Sequence, residues 1–117
     1  MSKFYTYKDI GFPVADEEDV LFTVEFISDG NSGPTVINTP APGEITIIDS
    51  GSKLIGKGKD LRSPQTTVTS ALYNPIPHED EIRVGYKING IVIKEHVNLK
   101  TEDERPIIIL FVNFPKK

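Results

Sequence analysis

Gly51-Ser52-Lys53-Leu54-Ile55-Gly56-Lys57 has the spacing G-x-x-x-x-G-K, with which a glycine-rich loop cradles phosphate groups on its backbone amides. It follows an apolar strand candidate, Glu44 to Asp49, as such a loop would. The next residue argues against it. Gly58 stands where Mg²⁺ needs Ser or Thr, and Pro64 leaves room for barely one turn of the helix whose N-terminus should face the phosphates. What is left is a glycine-rich loop carrying Lys53, Lys57, Lys59 and Arg62 against Asp60, the one basic patch on an acidic chain. These four cations are the expected docking point for an acidic partner, or for the acidic cluster of another copy.

Carboxylates gather in Asp16-Glu17-Glu18-Asp19, Glu79-Asp80-Glu81 and Glu102-Asp103-Glu104. Calcium takes six to eight oxygens that converge from several loops. Asp29-Gly30-Asn31-Ser32-Gly33 lacks the spacing of a calcium loop, and charge runs of this kind are ordinarily solvated faces. The two histidines, His78 in a proline-rich loop and His96 on the outer face of a hairpin, are far apart in sequence. There is no Cys to join them around zinc. No G-x-S-x-G elbow is present to hold a serine nucleophile. Tyr5 and Tyr7 share one face of the first strand, but without Trp a sugar-stacking platform is a weak expectation, and burial or capping by the hydroxyls is the expected use. No cofactor and no metal is expected.

Ile45-Thr46-Ile47-Ile48-Asp49-Ser50-Gly51-Ser52 is an apolar strand running into Asp-Ser-Gly-Ser. This stretch resembles the active-site turn of retroviral-type aspartic proteases, which are small, all-β and dimeric. The resemblance implies that Asp49 would be the catalytic acid/base, sharing a proton with its mate across a dimer axis, with Ser50 and Gly51 holding the carboxylates in plane. It covers about eight residues. The family's second apolar-apolar-Gly strand has no counterpart, since Ile107 to Phe114 contains no glycine, and no glycine-rich flap follows Asp49. Asp-Ser-Gly is also a common turn tripeptide after a strand.

Any of these groups must be positioned by strands. Of 117 residues, 33 are β-branched (15 Ile, 9 Val, 9 Thr) and only 10 are Ala, Leu or Met. Side chains stiff at χ1 suit a pleated surface and lose freedom in a helix. Alternation predicts eight or nine short strands: Phe4 to Lys8, Val20 to Ser28, Thr35 to Thr39, Glu44 to Asp49, one around Lys53 to Ile55, Gln65 to Tyr73, the hairpin Glu81 to Asn98, and Pro106 to Phe114. Helix is confined at most to a turn near Asp16 to Asp19 or Lys59 to Arg62.

Asn89-Gly90 predicts a two-residue type I′ turn. The register then opposes Ile88 to Ile91, Tyr86 to Ile93, Val84 to Glu95 and Ile82 to Val97 on the inner face, with Arg83 and His96 facing out. Glu95 is the exception on that apolar face, which an edge position or a bulge in the second strand would explain. The apolar run Ile107 to Phe114 predicts a strand covered on both faces, or on one face by a partner chain.

The absence of Cys excludes disulfides, thiolate metal sites and thiol redox chemistry. A net charge of −4 with clustered carboxylates would repel phosphates, so nucleic acid is not an expected partner. The N-terminal residues 1–8 lack the apolar core of a signal peptide and no apolar run is long enough for a membrane helix. The expected location is therefore the cytoplasm, or outside by a route without a signal peptide, and no membrane contact is expected.

These readings converge on one all-β domain spanning 1–117: an antiparallel β-sandwich, immunoglobulin-like, with a Greek-key connection across 50–64. The expected role is a non-enzymatic interaction or structural module, a subunit of a larger assembly, binding a protein partner or its own copies through loops and one sheet face. A homodimeric aspartic protease using Asp49 is the alternative from another class, and a calcium- or glycan-binding module a third.

Overall fold

The β-branched residues alternate with polar ones along nine strands: β1 (Phe4–Gly11), β2 (Asp19–Phe26), β3 (Pro34–Asn38), β4 (Glu44–Ile48), β5 (Gly51–Lys57), β6 (Thr66–Ala71), β7 (Glu81–Ile88), β8 (Ile91–Leu99) and β9 (Ile107–Asn113). The computed structural model describes residues 3–117; Met1 and Ser2, the first two residues of the segment read for a signal peptide, lie outside the described residues. A single 3₁₀ turn, Gly58–Asp60, is the helical content among the described residues, and no helix there is long and apolar enough to cross a membrane. That turn overlaps one of the two places where a turn of helix was expected, Lys59 to Arg62.

Two sheets stack on each other. One has five strands in the order β1-β9-β6-β3-β4 and the other four in the order β5-β2-β7-β8. The inward residues of each strand, such as Phe22, Val24, Ile37, Val68, Ile82, Val84, Ile108 and Leu110, form one continuous core. Near its middle the Tyr86 hydroxyl donates to Ser70 Oγ at 2.8 Å, and Ser70 Oγ lies 2.6 Å from Thr35 Oγ1, so a chain of hydroxyls links the two sheets through the core. Burial holds the Tyr86 phenol far above the usual tyrosine range and keeps it a donor.

The expectation of a wholly antiparallel sandwich is corrected at one pair. β1 runs parallel to β9, with Phe4 beside Ile107 and Thr6 beside Ile109. The other pairs of named strands are antiparallel. Hairpins force antiparallel neighbours, but these two strands stand at opposite ends of the chain, so no short turn constrains their direction. The 50–64 segment is also more ordered than a glycine-rich loop. Residues 51–57 form β5 against β2, and the chain then crosses sheets to place β6 beside β3 and β9.

Asn89 (φ 50°) and Gly90 (φ 80°) make the left-handed pair that a type I′ turn requires, and Ile88 opposes Ile91 as expected. Beyond Val92 the register departs from expectation. Ile93 is a bulge: Lys87 pairs with Val92, whereas Tyr86 pairs with Lys94, Gly85 with Glu95, Val84 with His96 and Ile82 with Asn98. One extra residue turns every later side chain to the opposite face. Glu95 therefore faces out, where its carboxylate accepts from Arg83 at 2.7 Å, and His96 and Asn98 face in. The last strand also departs from a run covered on both faces. Ile108, Leu110 and Val112 are fully buried, while Ile107, Ile109 and Phe111 are half-buried on the outer face of the five-stranded sheet.

Candidate functional site

Three of the four basic residues find an acidic partner within the chain. Pairing of β2 with β5 sets Asp19 beside Lys57, at 3.2 Å, and the turn before β2 presents Glu17 to Lys59 at 3.0 Å and Asp16 to Arg62 at 2.6 Å. Arg62 also donates to the carbonyls of Phe114 and Pro115. The Arg62 guanidinium holds the Asp16 carboxyl below its ordinary range. Of the expected docking residues, Lys53 alone makes no ion pair among the described residues. Gly58 has a steric reason for departing from a phosphate loop: a Cβ there would lie 2.0 Å from the carbonyl oxygen of Ala15.

Asp49 and Ser50 form the link by which β4 of one sheet passes into β5 of the other. Asp49 is exposed at φ 58°, its Oδ1 accepts the Gly33 amide at 2.9 Å, and its own amide donates to the Gly33 carbonyl at 3.1 Å. Ser50 Oγ accepts the Phe26 amide at 2.9 Å. Both side chains satisfy backbone groups at a sheet-switching turn. Replacing Asp49 by Ala removes the acceptor and leaves a residue without a polar side chain at positive φ; the expected cost is about 1–2 kcal/mol in urea denaturation. Asn keeps both features, and Asp49→Asn should stay within about 0.5 kcal/mol of wild type. His78 is exposed in the loop before β7. Among the described residues no three His, Asp or Glu side chains converge in a way that would hold a metal ion.

A polar cluster that the sequence did not disclose closes the opposite side of the sandwich, where β1 and β8 are the facing edge strands. His96 is fully buried, with its ring 4.7 Å from that of Tyr5 and 5.9 Å from that of Tyr7. Asn98 Nδ2 donates to the carbonyls of Leu99 and Asp103, which fixes Oδ1 as an acceptor. His96 Nε2, 2.8 Å from that oxygen, must carry the proton. In the neutral ring Nδ1 is then the acceptor, and the Tyr7 hydroxyl donates to it at 2.7 Å. Asp103 completes the clip: its carboxylate accepts the amides of Lys3 at 2.6 Å and Arg105 at 2.9 Å. The Lys94 ammonium sits 4.3 Å over the Tyr7 ring. The Tyr5 hydroxyl is buried without a hydrogen-bond partner among the described residues.

Burial lowers the His96 pKa from 6.5, and the Asn98 contact and the Glu102 carboxylate oppose this only in part. The unfolded chain therefore binds a proton that the folded chain resists. Stability from this group is complete above about pH 6.5 and falls as pH drops below it, until the folded ring also protonates. Urea midpoints measured between pH 5 and pH 7.5 should show this fall, and His96→Ala should not. The lowered Asp16 and Glu18 carboxyls act separately, below their own ordinary values of 3.8 and 4.5.

The clip holds β1 in place, and β1 is one border of a broad surface. Register gives the outer face of the five-stranded sheet three rows, each crossing β1, β9, β6, β3 and β4 in turn. The first is Phe4, Ile107, Ala71, Pro34 and Ile48; the second is Thr6, Ile109, Thr69, Val36 and Thr46. The third has Phe111, Thr67 and Asn38 at its centre and Glu44 at one end; at the other end the β1 ladder is interrupted by a bulge that holds Lys8 and Asp9 beside Phe111. The first two rows contain no charge. The outer face of the other sheet mixes apolar and charged groups: the exposed Leu21, Leu54, Val92, Val97 and Leu99 stand among Glu25, Glu81, Arg83, Lys87 and Glu95, which form ion pairs of 2.7–3.3 Å. The pairs satisfy themselves in water; on the five-stranded sheet Phe4, Ile107, Ile109, Val36 and Ile48 leave apolar area open with no charge among them in the first two rows. No family model matches this chain, and neither a curated protein nor a solved structure is detectably similar to it.

Proposed function

We propose that this protein is a non-enzymatic interaction module, a subunit of a larger assembly, that engages protein through the outer face of its five-stranded sheet. The observation that carries this reading is the contiguous surface of two uncharged rows across all five strands; the opposite surface also exposes Leu21, Leu54, Val92, Val97 and Leu99, but there they are interleaved with charged side chains. The two uncharged rows present apolar area to bury and no cations with which to neutralise phosphates, which favours a protein partner over nucleic acid. The sandwich itself is read as immunoglobulin-like. In support, β9, β6 and β3 lie side by side as three antiparallel strands of one sheet, and the chain reaches β6 by the Greek-key step from β5.

Site-specific photo-crosslinking tests the face directly. A benzophenone side chain at Thr69, in the middle of the surface, is expected to give a discrete adduct in cells that make the protein. The same group at Thr23, on the outer face of β2, is expected to give none. Absence of an adduct at Thr69, or equal adducts at both positions, would sink the reading.

A further inference from the structure

We infer that the partner on this face is a second copy of the chain, related by a two-fold axis that lies in the interface parallel to the strands and over β6. The inference rests on the interaction-module reading above and names the occupant of that surface.

Among the described residues, the two most exposed large apolar side chains are Phe4, 68% exposed, and Ile48, 66% exposed. They stand at opposite ends of one row, on the two edge strands β1 and β4. A two-fold parallel to the strands keeps each row in register and exchanges its ends, so Phe4 of one copy covers Ile48 of the other, twice per dimer. The same operation sets Ile109 over Val36 and brings Thr69 and Thr67 against their own mates on the axis, where short side chains allow close approach. In the third row it sets Glu44 over the bulge of β1, where Lys8 and Asp9 lie side by side. Although each copy has a net charge of −4, the first two rows bring no carboxylates together. On the other sheet a like operation would bring several carboxylates close together. Sheets pack face to face with their strands within about 30° of each other, which is the arrangement this axis produces.

Five strands about 4.8 Å apart, with rows over roughly 20 Å of strand, cover roughly 500 Å² per copy, or on the order of 1,000 Å² in total. That is the lower bound for a specific interface, the size class of weak, reversible association.

Sedimentation equilibrium of the full chain between about 5 and 500 µM should show monomer and dimer, a range that brackets this interface class. Thr69→Glu places two carboxylates on the axis and should weaken the dimer at least about 30-fold, with thermal unfolding of the monomer unchanged. Thr67→Glu is the second variant should that chain not fold. Phe4→Glu and Ile48→Lys each place a charge against an apolar side chain twice per dimer and should each weaken association. Mixed in equal amounts they should associate again, because the heterodimer has one ion pair between the two introduced side chains and one native Phe4 to Ile48 contact. A wild-type chain that stays monomeric at about 500 µM overturns the inference, as does a dimer indifferent to Glu at both Thr positions. A mixture no tighter than its components overturns the axis. Crosslinking separates the two levels: a Thr69 adduct at twice the chain mass supports the dimer, an adduct of another mass rejects it and leaves the module reading standing, and no adduct rejects both.

Discussion

Alanine at Tyr86 is expected to destabilise the protein by about 3–5 kcal/mol, the range for removing a buried aromatic ring. Tyr86 is fully buried in β7, and its ring centroid lies 6.2 Å from that of Phe22. Its loss leaves a cavity between the sheets and takes away the donor that reaches Ser70. A domain of this size is held by about 5–15 kcal/mol in all, so a variant near the upper figure would be partly unfolded at about 37 °C. Tyr86→Phe isolates the hydroxyl. Ser70 and Thr35 still bond to each other in that variant, so no group is left unpaired and the expected cost is about 1 kcal/mol. Urea denaturation of the two variants provides the comparison. Equal losses would mean that the hydroxyl chain, and not the ring, holds the sheets together at this point.

Alanine at His96 is expected to cost about 3 kcal/mol, through a cavity and through the loss of a partner for the buried Asn98 Oδ1 and the half-buried Tyr7 Oη. Asn98 cannot turn to compensate, because its amide nitrogen is committed to two carbonyls. The damage should be local. β1 is bonded along one edge to β9, and Tyr5 and Tyr7 join it to the opposite sheet through the His96 ring. Amide hydrogen exchange should therefore rise in β1 well before it rises in β9 or β6. His96→Phe keeps most of the volume and none of the hydrogen bonds; a loss close to that of Ala would assign the effect to the bonds. Because β1 carries Phe4, loosening it should weaken self-association too, and at mildly acid pH protonation of His96 should move wild type in the same direction.

Much of the architecture was legible in the chain. The excess of Ile, Val and Thr over helix formers required strands, and alternation placed strands at 20–28 and 65–73, where β2 and β6 lie. Asn89-Gly90 located its turn because few other residue pairs adopt positive φ at both positions. These are properties of one residue or of near neighbours, and short-range sterics decide them.

Pairings between distant segments were decided only in the folded molecule. The four cations of 53–62 read as a free basic patch, yet Asp16, Glu17 and Asp19 occupy three of them, a match that exists only once β2 lies against β5. In β8 either register put polar residues inside: Glu95 in one, Lys94, His96 and Asn98 in the other. Hydrophobic counting favoured the first. The second prevails because β8 is an edge strand, where the bulge at Ile93 is tolerated and where Tyr5 and Tyr7 of β1 and the 99–103 turn supply partners for the inward polar groups. The residue types, their spacing and the turns were determined by the sequence alone. Which edge strands meet, and hence which polar groups are buried and which apolar side chains are left exposed, depends on contacts between segments far apart in the chain, and only tertiary structure decides those.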